Sequence, residues 1–280
     1  MNIDCNVIIF NPTKEAINNI NHLADIFRFV YVEDNTEDED NIFYKFSKDN
    51  IIYKYYKENK GVAEALNDGL LFASKNKADF LLTLDQDSVY PYQLHDYVIQ
   101  QLKSVDMNKE AVISITPYPV SKKEEFEYVK YPITSGSILN VNLLIKNNIR
   151  FNNDLFIDSV DFDFDEKIYK NNLRIKQLNR VSLKHTMGNP IKKKILFLTF
   201  FCLNHNPIRY YYRYRNITYL YRNNKKFYKK LYWREMIVQK LKLIFFESDK
   251  KEKLKMIKLG ISDGIRGKLG KFIPEKENDI

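Results

Sequence analysis

The sequence has few of the residues that mark several common protein classes. Of its 280 residues only two are cysteines, Cys5 and Cys202, and only eight each are glycine and proline. Two cysteines cannot form a disulfide framework or a paired zinc motif, and we expect both to be buried free thiols. The low glycine and proline content excludes collagen-like and low-complexity chains.

Long apolar runs are also lacking. The longest nearly apolar run spans residues 195–203, well short of the ~20 residues that a membrane-spanning helix needs. The first residues have neither the basic region nor the long apolar core of a signal peptide. We therefore expect a cytoplasmic protein.

Charge is distributed unevenly along the chain. The net charge is +9, yet residues 1–180 hold 21 basic and 28 acidic side chains, whereas residues 181–280 hold 24 basic and 8 acidic ones. Within the basic region, residues 209–233 interleave arginine and lysine with eight tyrosines. Such asymmetry indicates a polyanionic partner or an anionic membrane surface on the basic side. A packed helical cap with a solvated basic side fits the same pattern.

The first two thirds of the chain alternate between strand and helix patterns. Runs of strand length occupy residues 7–10, 29–32, 51–53, 80–84 and 111–115. Helices are expected over 13–24, 62–73 and 91–105, the second with apolar residues on one face. This alternation predicts an α/β fold with a mostly parallel sheet covered by helices. Ligands bind such sheets beyond the carboxyl ends of the strands.

Polar clusters follow three of these strands. Asp85, Gln86 and Asp87 come directly after residues 80–84, and two carboxylates spaced in this way suit a divalent cation that neutralises phosphate. Asp34 follows the second strand, and the turn from Asn59 to Gly61 follows the third. Each of these clusters also has an ordinary structural explanation as a solvated or capping turn.

A second group of candidates lies further along. Residues 158–166 hold five acids, which fits either a helix N-terminus or a general base for a hydroxyl group. The residue pattern does not choose among these acids. His185 is a candidate metal ligand, and a structural role is the alternative.

Taken in order, these segments resemble the family 2 inverting glycosyltransferases, and within them the bacterial rhamnosyltransferase branch. The resembling segments are VIIFNP at 7–12, VEDN at 32–35, NKGVAEALNDG at 59–69, LDQDS at 84–88, SG at 135–136, FIDSVDFD at 156–163, His185 with Gly188, and RYYYRYRN at 209–216. The form LDQDS is characteristic of the rhamnosyltransferase branch.

The resemblance implies a GT-A (Rossmann-like) fold, with helices on both faces of a mostly parallel central sheet, in residues 1–205. A basic, Tyr-rich helical C-terminal extension would follow in residues 206–280. The implied catalytic base is Asp161. The implied donor-binding residues are Asn11, Pro12, Asp34, Asn59, Gly61, Asn67, Asp85 and Gln86. The implied metal ligands are Asp87 and His185, for Mg²⁺ or Mn²⁺, and the implied acceptor-side residues are Ser135, Gly136, Asp163 and Lys167.

Two positions depart from the family pattern. Lys167 replaces the usual arginine, so that a point charge stands where a bidentate group is expected, and Phe164 replaces a tryptophan. A catalytically silent module of the same fold therefore stays open as an interpretation.

The expected activity is transfer of L-rhamnose from dTDP-rhamnose to a glycan or lipid-linked glycan during synthesis of a bacterial surface polysaccharide. A UDP-hexose or UDP-galactofuranose donor is the alternative within the same fold, and a non-enzymatic polyanion-binding protein is the alternative outside it. We expect a peripheral location on the inner face of the cell membrane. The basic region, including Arg213, Arg215, Arg222, Lys225 and Lys226, would contact anionic lipid. We expect no nucleic-acid partner, and a homo-oligomer is compatible with the sequence.

Overall fold

The computed structural model describes residues 1–38, 46, 48–117, 124–185, 191–195, 198–202 and 204–274. For residues 185, 191–195 and 198–202 the description is confined to the backbone. The chain divides into two compact units. The first comprises Met1–Phe151 and Asp161–Thr186, and the second Asn152–Val160 and Met187–Ile280. The predicted boundary at residue 205 remains a proposal.

The first unit is built on an eight-stranded sheet with the order β3-β2-β1-β4-β8-β6-β9-β7. Its strands are β1 (Ile3–Ile9), β2 (Val30–Asp34), β3 (Ile51–Tyr55), β4 (Phe80–Asp85), β6 (Glu110–Ile115), β7 (Phe126–Tyr128), β8 (Ser137–Asn140) and β9 (Arg174–Leu178). Strands β3, β2, β1 and β4 run parallel, and so do β6 and β9. Strand β8 lies between β4 and β6 and is antiparallel to both.

Helices cover both faces of this sheet. They are α1 (Lys14–Leu23), α2 (Val62–Lys75), α3 (His95–Lys103), α4 (Val141–Lys146) and α5 (Val160–Lys170). Buried side chains of α1 and α3 share one core with Cys5, Val7 and Ile9 of β1. On the opposite face, α2 approaches so closely that a Cβ atom on Gly69 would lie 2.3 Å from the Asn6 side chain. Because alternate residues of a strand point to opposite faces, β1 is covered on both sides. The predicted fold class is confirmed.

A short pairing completes the first unit. Strand β5 (Ser88–Val89) pairs antiparallel with β10 (Lys184–His185), with Ser88 opposite His185.

The second unit is mainly helical. It contains a hairpin of β11 (Ile191–Ile195) and β12 (Leu198–Cys202), followed by α6 (Pro207–Asn223), α7 (Lys225–Trp233), α8 (Lys240–Phe246) and α9 (Lys250–Arg266). A π-helical segment, Arg234–Gln239, joins α7 to α8. Helix α9 packs on α6 through two glycines, since a Cβ atom on Gly260 or Gly264 would lie 2.4 or 2.3 Å from a carbonyl oxygen of α6.

Tyrosines and arginines of α6 form much of the interior of the second unit. Tyr210, Tyr211, Tyr212 and Tyr214 are buried, and the Arg215 side chain is 1% exposed. The prediction that Arg215 contacts lipid is therefore wrong. Its guanidinium donates hydrogen bonds to the backbone oxygens of residues 270 and 155 at 2.6 and 3.1 Å, which satisfies the charge internally.

Arg213 also faces inward, where its guanidinium pairs with the buried Glu235 carboxylate at 2.6 Å. Its side chain is still 17% exposed, so a lipid contact of Arg213 stays a prediction. Arg222, Lys225 and Lys226 are exposed, so the prediction stays open for them. Across the described helices, none is both long and apolar enough to cross a membrane.

Candidate active site

The carboxyl ends of three neighbouring parallel strands bring several predicted donor-binding residues together. In the sheet register Asp34 of β2 lies beside Ile9 of β1, and Asp85 of β4 lies beside Ile8. The backbone N–H of Phe10 donates to Gln86 Oε1 at 2.8 Å. The strand ends therefore meet at one edge of the sheet, where open α/β folds bind their ligands.

The turn after β1 is held by the segment that follows β2. Asn11 is exposed and has a positive φ of 47°, and its N–H donates to Thr36 Oγ1 at 2.9 Å. Pro12 is buried directly behind it. Thr36 therefore supports the turn that carries the predicted donor-binding residues Asn11 and Pro12.

Asp34 is buried, and its carboxylate is held by hydrogen bonds. The Thr36 N–H donates to Oδ1 at 2.8 Å, and the Tyr53 hydroxyl donates to Oδ2 at 2.7 Å. The side chain is thus rigidly oriented at the strand end.

Asn35 connects this strand end to the turn before α2. Its Oδ1 accepts from the Lys60 N–H at 2.8 Å. Asn59 Oδ1 in turn accepts from the Gly61 N–H at 2.9 Å, which closes an Asx-type turn. Gly61 has φ 85°, a conformation that glycine adopts without strain. These contacts place Asn59 and Gly61 beside Asp34.

Asn67 makes contacts of a different kind. Its Nδ2 donates to the Phe151 oxygen at 2.9 Å, and its Oδ1 accepts from the Phe151 N–H at 3.0 Å. The side-chain amide thereby ties α2 to the chain near α5. Donor binding by Asn67 stays a prediction, and the structure gives this residue a positioning role.

The turn after β4 is anchored by the serine–glycine pair. The Asp85 N–H donates to Ser135 Oγ at 3.0 Å, and the hydroxyl oxygens of Ser135 and Ser88 lie 2.7 Å apart. Gly136 has φ 90°, and a Cβ atom there would lie 2.5 Å from the Ile115 oxygen. Ser135 and Gly136, predicted on the acceptor side, thus hold the Asp85–Ser88 turn in place.

The predicted metal ligands lie at this turn. Asp87 is exposed and Asp85 is half-buried, and the backbone of His185 pairs with Ser88, the residue after Asp87. The carboxylates of Asp85 and Asp87 are the oxygen ligands that Mg²⁺ and Mn²⁺ prefer, so these two residues fit the group by their chemistry. Among the described side chains, which exclude that of His185, no three His, Cys, Asp or Glu cluster as a metal-binding group. Gly188 lies outside the described residues.

The acids of α5 occupy distinct environments. Asp161 is half-buried in the first turn, and its Oδ1 accepts from the Phe162 N–H at 2.9 Å. Asp163 is buried and pairs with Lys167 at 2.6 Å, and Glu166 is buried and pairs with Lys170 at 2.7 Å. Burial raises the pKa of Asp163, although Lys167 opposes that shift. Asp161 is therefore more accessible than these two neighbours.

Asp165 is a buried acid that the sequence did not single out. It is 3% exposed, and its Oδ2 has no hydrogen-bond partner among the described residues. Burial, and then the nearby Asp161 charge, raise the pKa of Asp165 well above its usual range. Asp161 and Asp165 both line a small pocket with Thr134 and Ser137. Since Thr134 precedes Ser135, this pocket adjoins the loop that supports Asp85.

Lys167 has two partners in the chain. Besides its pair with Asp163, its Nζ donates to the Arg150 oxygen at 2.9 Å. It therefore ties α5 to the loop that precedes it, and an acceptor contact stays a prediction.

The sheet, with three strand ends meeting at an acidic edge, and the carboxylate-bearing helix in the same unit fit the GT-A fold of nucleotide-sugar transferases. The family model described as glycosyl transferase family 2 matches residues 7–173. The chain belongs to this family. The match confirms the resemblance to the family 2 glycosyltransferases that the sequence motifs indicate.

Solved structures support the fold. The structure titled S. aureus TarS 1-349 in complex with UDP-GlcNAc matches with a TM-score of 0.59 at 16% identity, covering 95% of this chain and 81% of that one. The structure titled S. aureus TarS matches with a TM-score of 0.55 at 17% identity, covering 96% of this chain and 49% of that one. No curated protein sequence matches the chain.

Sequence reasoning missed several supporting residues. Asn35 was part of the VEDN segment but had no assigned role, and Thr36 lay just outside it. Ser88 was noticed only as the residue after Asp87. Their positions after strand ends, together with side chains that bond to backbone N–H groups in turns, were the available signal.

Proposed function

We propose that this member of glycosyl transferase family 2 transfers L-rhamnose from dTDP-rhamnose to a hydroxyl group of a glycan or lipid-linked glycan, with inversion at the anomeric carbon. The acceptor would belong to a bacterial surface polysaccharide. The observation that carries the proposal is the meeting of Asp34, Asp85 and Gln86 at one sheet edge. The LDQDS form of the metal motif supports rhamnose as the sugar.

The proposed donor side uses the rigid strand ends. Asp34, oriented by two hydrogen bonds, would accept from the N–H of the nucleotide base. Asn11 and Pro12 in the turn after β1, and Asn59 and Gly61 in the turn before α2, would shape the base pocket. Asp85 and Gln86 would contact the ribose or the sugar, because they follow the strand next to β1.

The donor diphosphate needs charge neutralisation. Asp87, with His185, would hold a Mg²⁺ or Mn²⁺ ion, which when bound offsets the charge on the leaving nucleoside diphosphate.

The proposed acceptor side centres on α5. Asp161 would take the proton from the attacking hydroxyl group, which requires a carboxylate within hydrogen-bond reach. Asp163, with Ser135, Gly136 and Lys167, would support the acceptor pocket from behind. Holding both substrates at one sheet edge allows attack opposite the leaving group without a covalent intermediate.

A UDP-sugar donor is the second candidate. The TarS structure contains UDP-GlcNAc, although at 16% identity this likeness supports the fold and not the donor. A donor screen separates the two candidates: the purified protein is incubated with dTDP-rhamnose, UDP-glucose, UDP-GlcNAc or UDP-galactofuranose, and nucleotide release is measured. Release from dTDP-rhamnose alone is expected, and release only from a UDP-sugar would refute the rhamnose assignment.

A peripheral position on the inner face of the membrane belongs to the same proposal, since a lipid-linked acceptor would be presented there. Because the catalytic family is established, the polyanion-binding alternative is disfavoured. Release of no nucleotide from any donor, with and without Mn²⁺, would restore the silent-module interpretation.

A further inference from the structure

The helical stretch over residues 225–246 has an inner and an outer face. It comprises α7, the π-helical segment and α8. Its inner face is buried through Tyr228, Leu231, Glu235 and Leu243. We call the exposed side chains of residues 225–246 the outer face.

The outer face carries a run of exposed apolar side chains. Their exposed fractions range from 37% to 66%, and they are Trp233, Ile237, Val238, Leu241, Ile244 and Phe245. They recur at intervals of three and four residues, so they lie along one side of the helical stretch. Single exposed apolar residues are ordinary, but a contiguous row of this kind marks an interaction surface.

Basic residues border this apolar row at its N-terminal end, where Lys225, Lys226, Lys229 and Lys230 are exposed. On the C-terminal side, the exposed Lys250 and Lys251 lie between the exposed acids Asp249 and Glu252. Residues 225–246 contain a single acid, Glu235. Its carboxylate is 3% exposed and pairs with Arg213 at 2.6 Å. The outer face therefore presents positive charge that no acid of this stretch offsets from outside.

We propose that the outer face binds an anionic lipid surface, with the helical stretch lying in the plane of the interface. An apolar row flanked by lysines is the pattern of interfacial helices: the apolar side chains enter the acyl boundary and the lysines reach the headgroups. Each lysine near an anionic surface contributes about fivefold to the partition coefficient. A second copy of the chain is a poorer occupant, since pairing two outer faces would bring lysines against lysines.

This inference rests on the peripheral location proposed above but not on the donor or the acceptor. Arg215 is buried and Arg213 pairs with Glu235. The proposed lipid contact is therefore made by exposed residues of the stretch 225–246. Vesicle binding requires no turnover, so an inactive protein that binds lipid and an active protein that does not bind are distinguishable results.

The unmodified protein already offers a local probe. Trp233 is the only tryptophan of the chain, and it lies on the outer face with 47% exposure. On titration with vesicles of phosphatidylglycerol and phosphatidylcholine, its emission should shift to shorter wavelength as the indole leaves water. Phosphatidylcholine vesicles alone should give a much smaller shift. Equal shifts with both, or none with either, would overturn the proposal.

Two variants separate the apolar and basic contributions in vesicle sedimentation. The apolar variant combines Ile237→Gln, Leu241→Gln and Phe245→Gln. It should lower the partition coefficient by at least tenfold. The control is Leu71→Gln with Leu94→Gln and Met107→Gln, three apolar residues of the first unit that are 38–39% exposed, and it should bind like the wild type. Loss of binding in the control but not in the outer-face variant would contradict the proposal.

The basic variant replaces four lysines together: Lys225→Gln, Lys226→Gln, Lys229→Gln and Lys230→Gln. It should bind vesicles much more weakly, and its binding should depend less on salt. The control removes the same charge elsewhere, at the exposed residues Lys75, Lys77, Lys103 and Lys109. Equal weakening by both sets would mean that net charge, and not this face, controls binding. If light scattering instead shows a lipid-independent dimer that the apolar variant dissociates, the face binds a second copy and the proposal fails.

Discussion

Asp161→Asn provides the sharpest test of the proposed chemistry. Asp161 is the half-buried acid in the first turn of α5, whereas Asp163, Asp165 and Glu166 are buried. Asparagine keeps the shape of the side chain. Its Oδ1 can still accept the hydrogen bond from the Phe162 N–H, which is 2.9 Å long with Asp161. The substitution therefore removes the proton acceptor and little else.

The expected loss follows from the role of a general base. Such a group contributes a factor of ~10²–10⁴ in rate, which corresponds to about 3–5 kcal/mol in the activation barrier. Because the base acts mainly in the transition state, kcat should fall while the dissociation constant of the donor changes little. The assay is product formation at saturating donor, with calorimetric donor binding and circular dichroism on the same preparation.

Asp165→Asn is the matched control. Burial, and then the Asp161 charge, raise the pKa of Asp165 and so favour its neutral form, and a neutral amide should therefore preserve both folding and kcat. Asp163→Asn should give an intermediate result, because it breaks the pair with Lys167. If Asp161→Asn retains the wild-type kcat while one of these neighbours loses activity, the base is that neighbour and the assignment is wrong.

Three further predictions concern the metal, the second unit and pH. Asp87→Ala should abolish turnover and the Mg²⁺ or Mn²⁺ dependence of nucleotide binding in a folded protein, and full activity of the wild type in EDTA would refute the metal. Arg215→Met should lower the free energy of unfolding by about 3 kcal/mol in urea titrations, since it leaves buried carbonyl oxygens unpaired; an unchanged midpoint would contradict this. Burial raises the pKa of Glu33 from 4.5 to about 7. The stability that the protonated carboxyl group provides is therefore fully present below pH 4.5 and is lost as the pH rises through 7. Glu33→Gln should remove up to about 3 kcal/mol of that decline, measured as unfolding free energy between pH 4.5 and 8.

The parallel half of the sheet could be predicted because its signals are local. The apolar runs that became β1, β2 and β4 are short, buried and bounded by polar turns, and α2 carries its apolar residues on one face. Strand β8 was missed. It is only four residues long and directly follows Gly136, and only pairing with β4 and β6 makes it a strand.

The environment of the charged side chains could not be predicted from composition. Arg215 and Arg222 have similar neighbours in the sequence, yet the first is buried and the second is exposed. The difference depends on acceptors at residues 154, 155 and 270, which are remote in sequence. The same holds for Asp165, whose burial follows from the packing of α5 and not from its place in an acidic run.

Two segments that are distant in the sequence, residues 156–163 and residues 209–216, contact each other at the turn before α5. Phe156, Asp158 and Ser159 all have φ near 60°, a conformation that costs non-glycine residues about 1–3 kcal/mol each and persists only where other contacts enforce it. Asn216 Nδ2 supplies such contacts, since it lies within 2.9 Å of the carbonyl oxygens of residues 155, 157 and 158. Arg215 donates to residue 155 as well. The arginine–asparagine pair of α6 thus holds in place the strained turn over residues 156–159, which belongs to the same compact unit as α6.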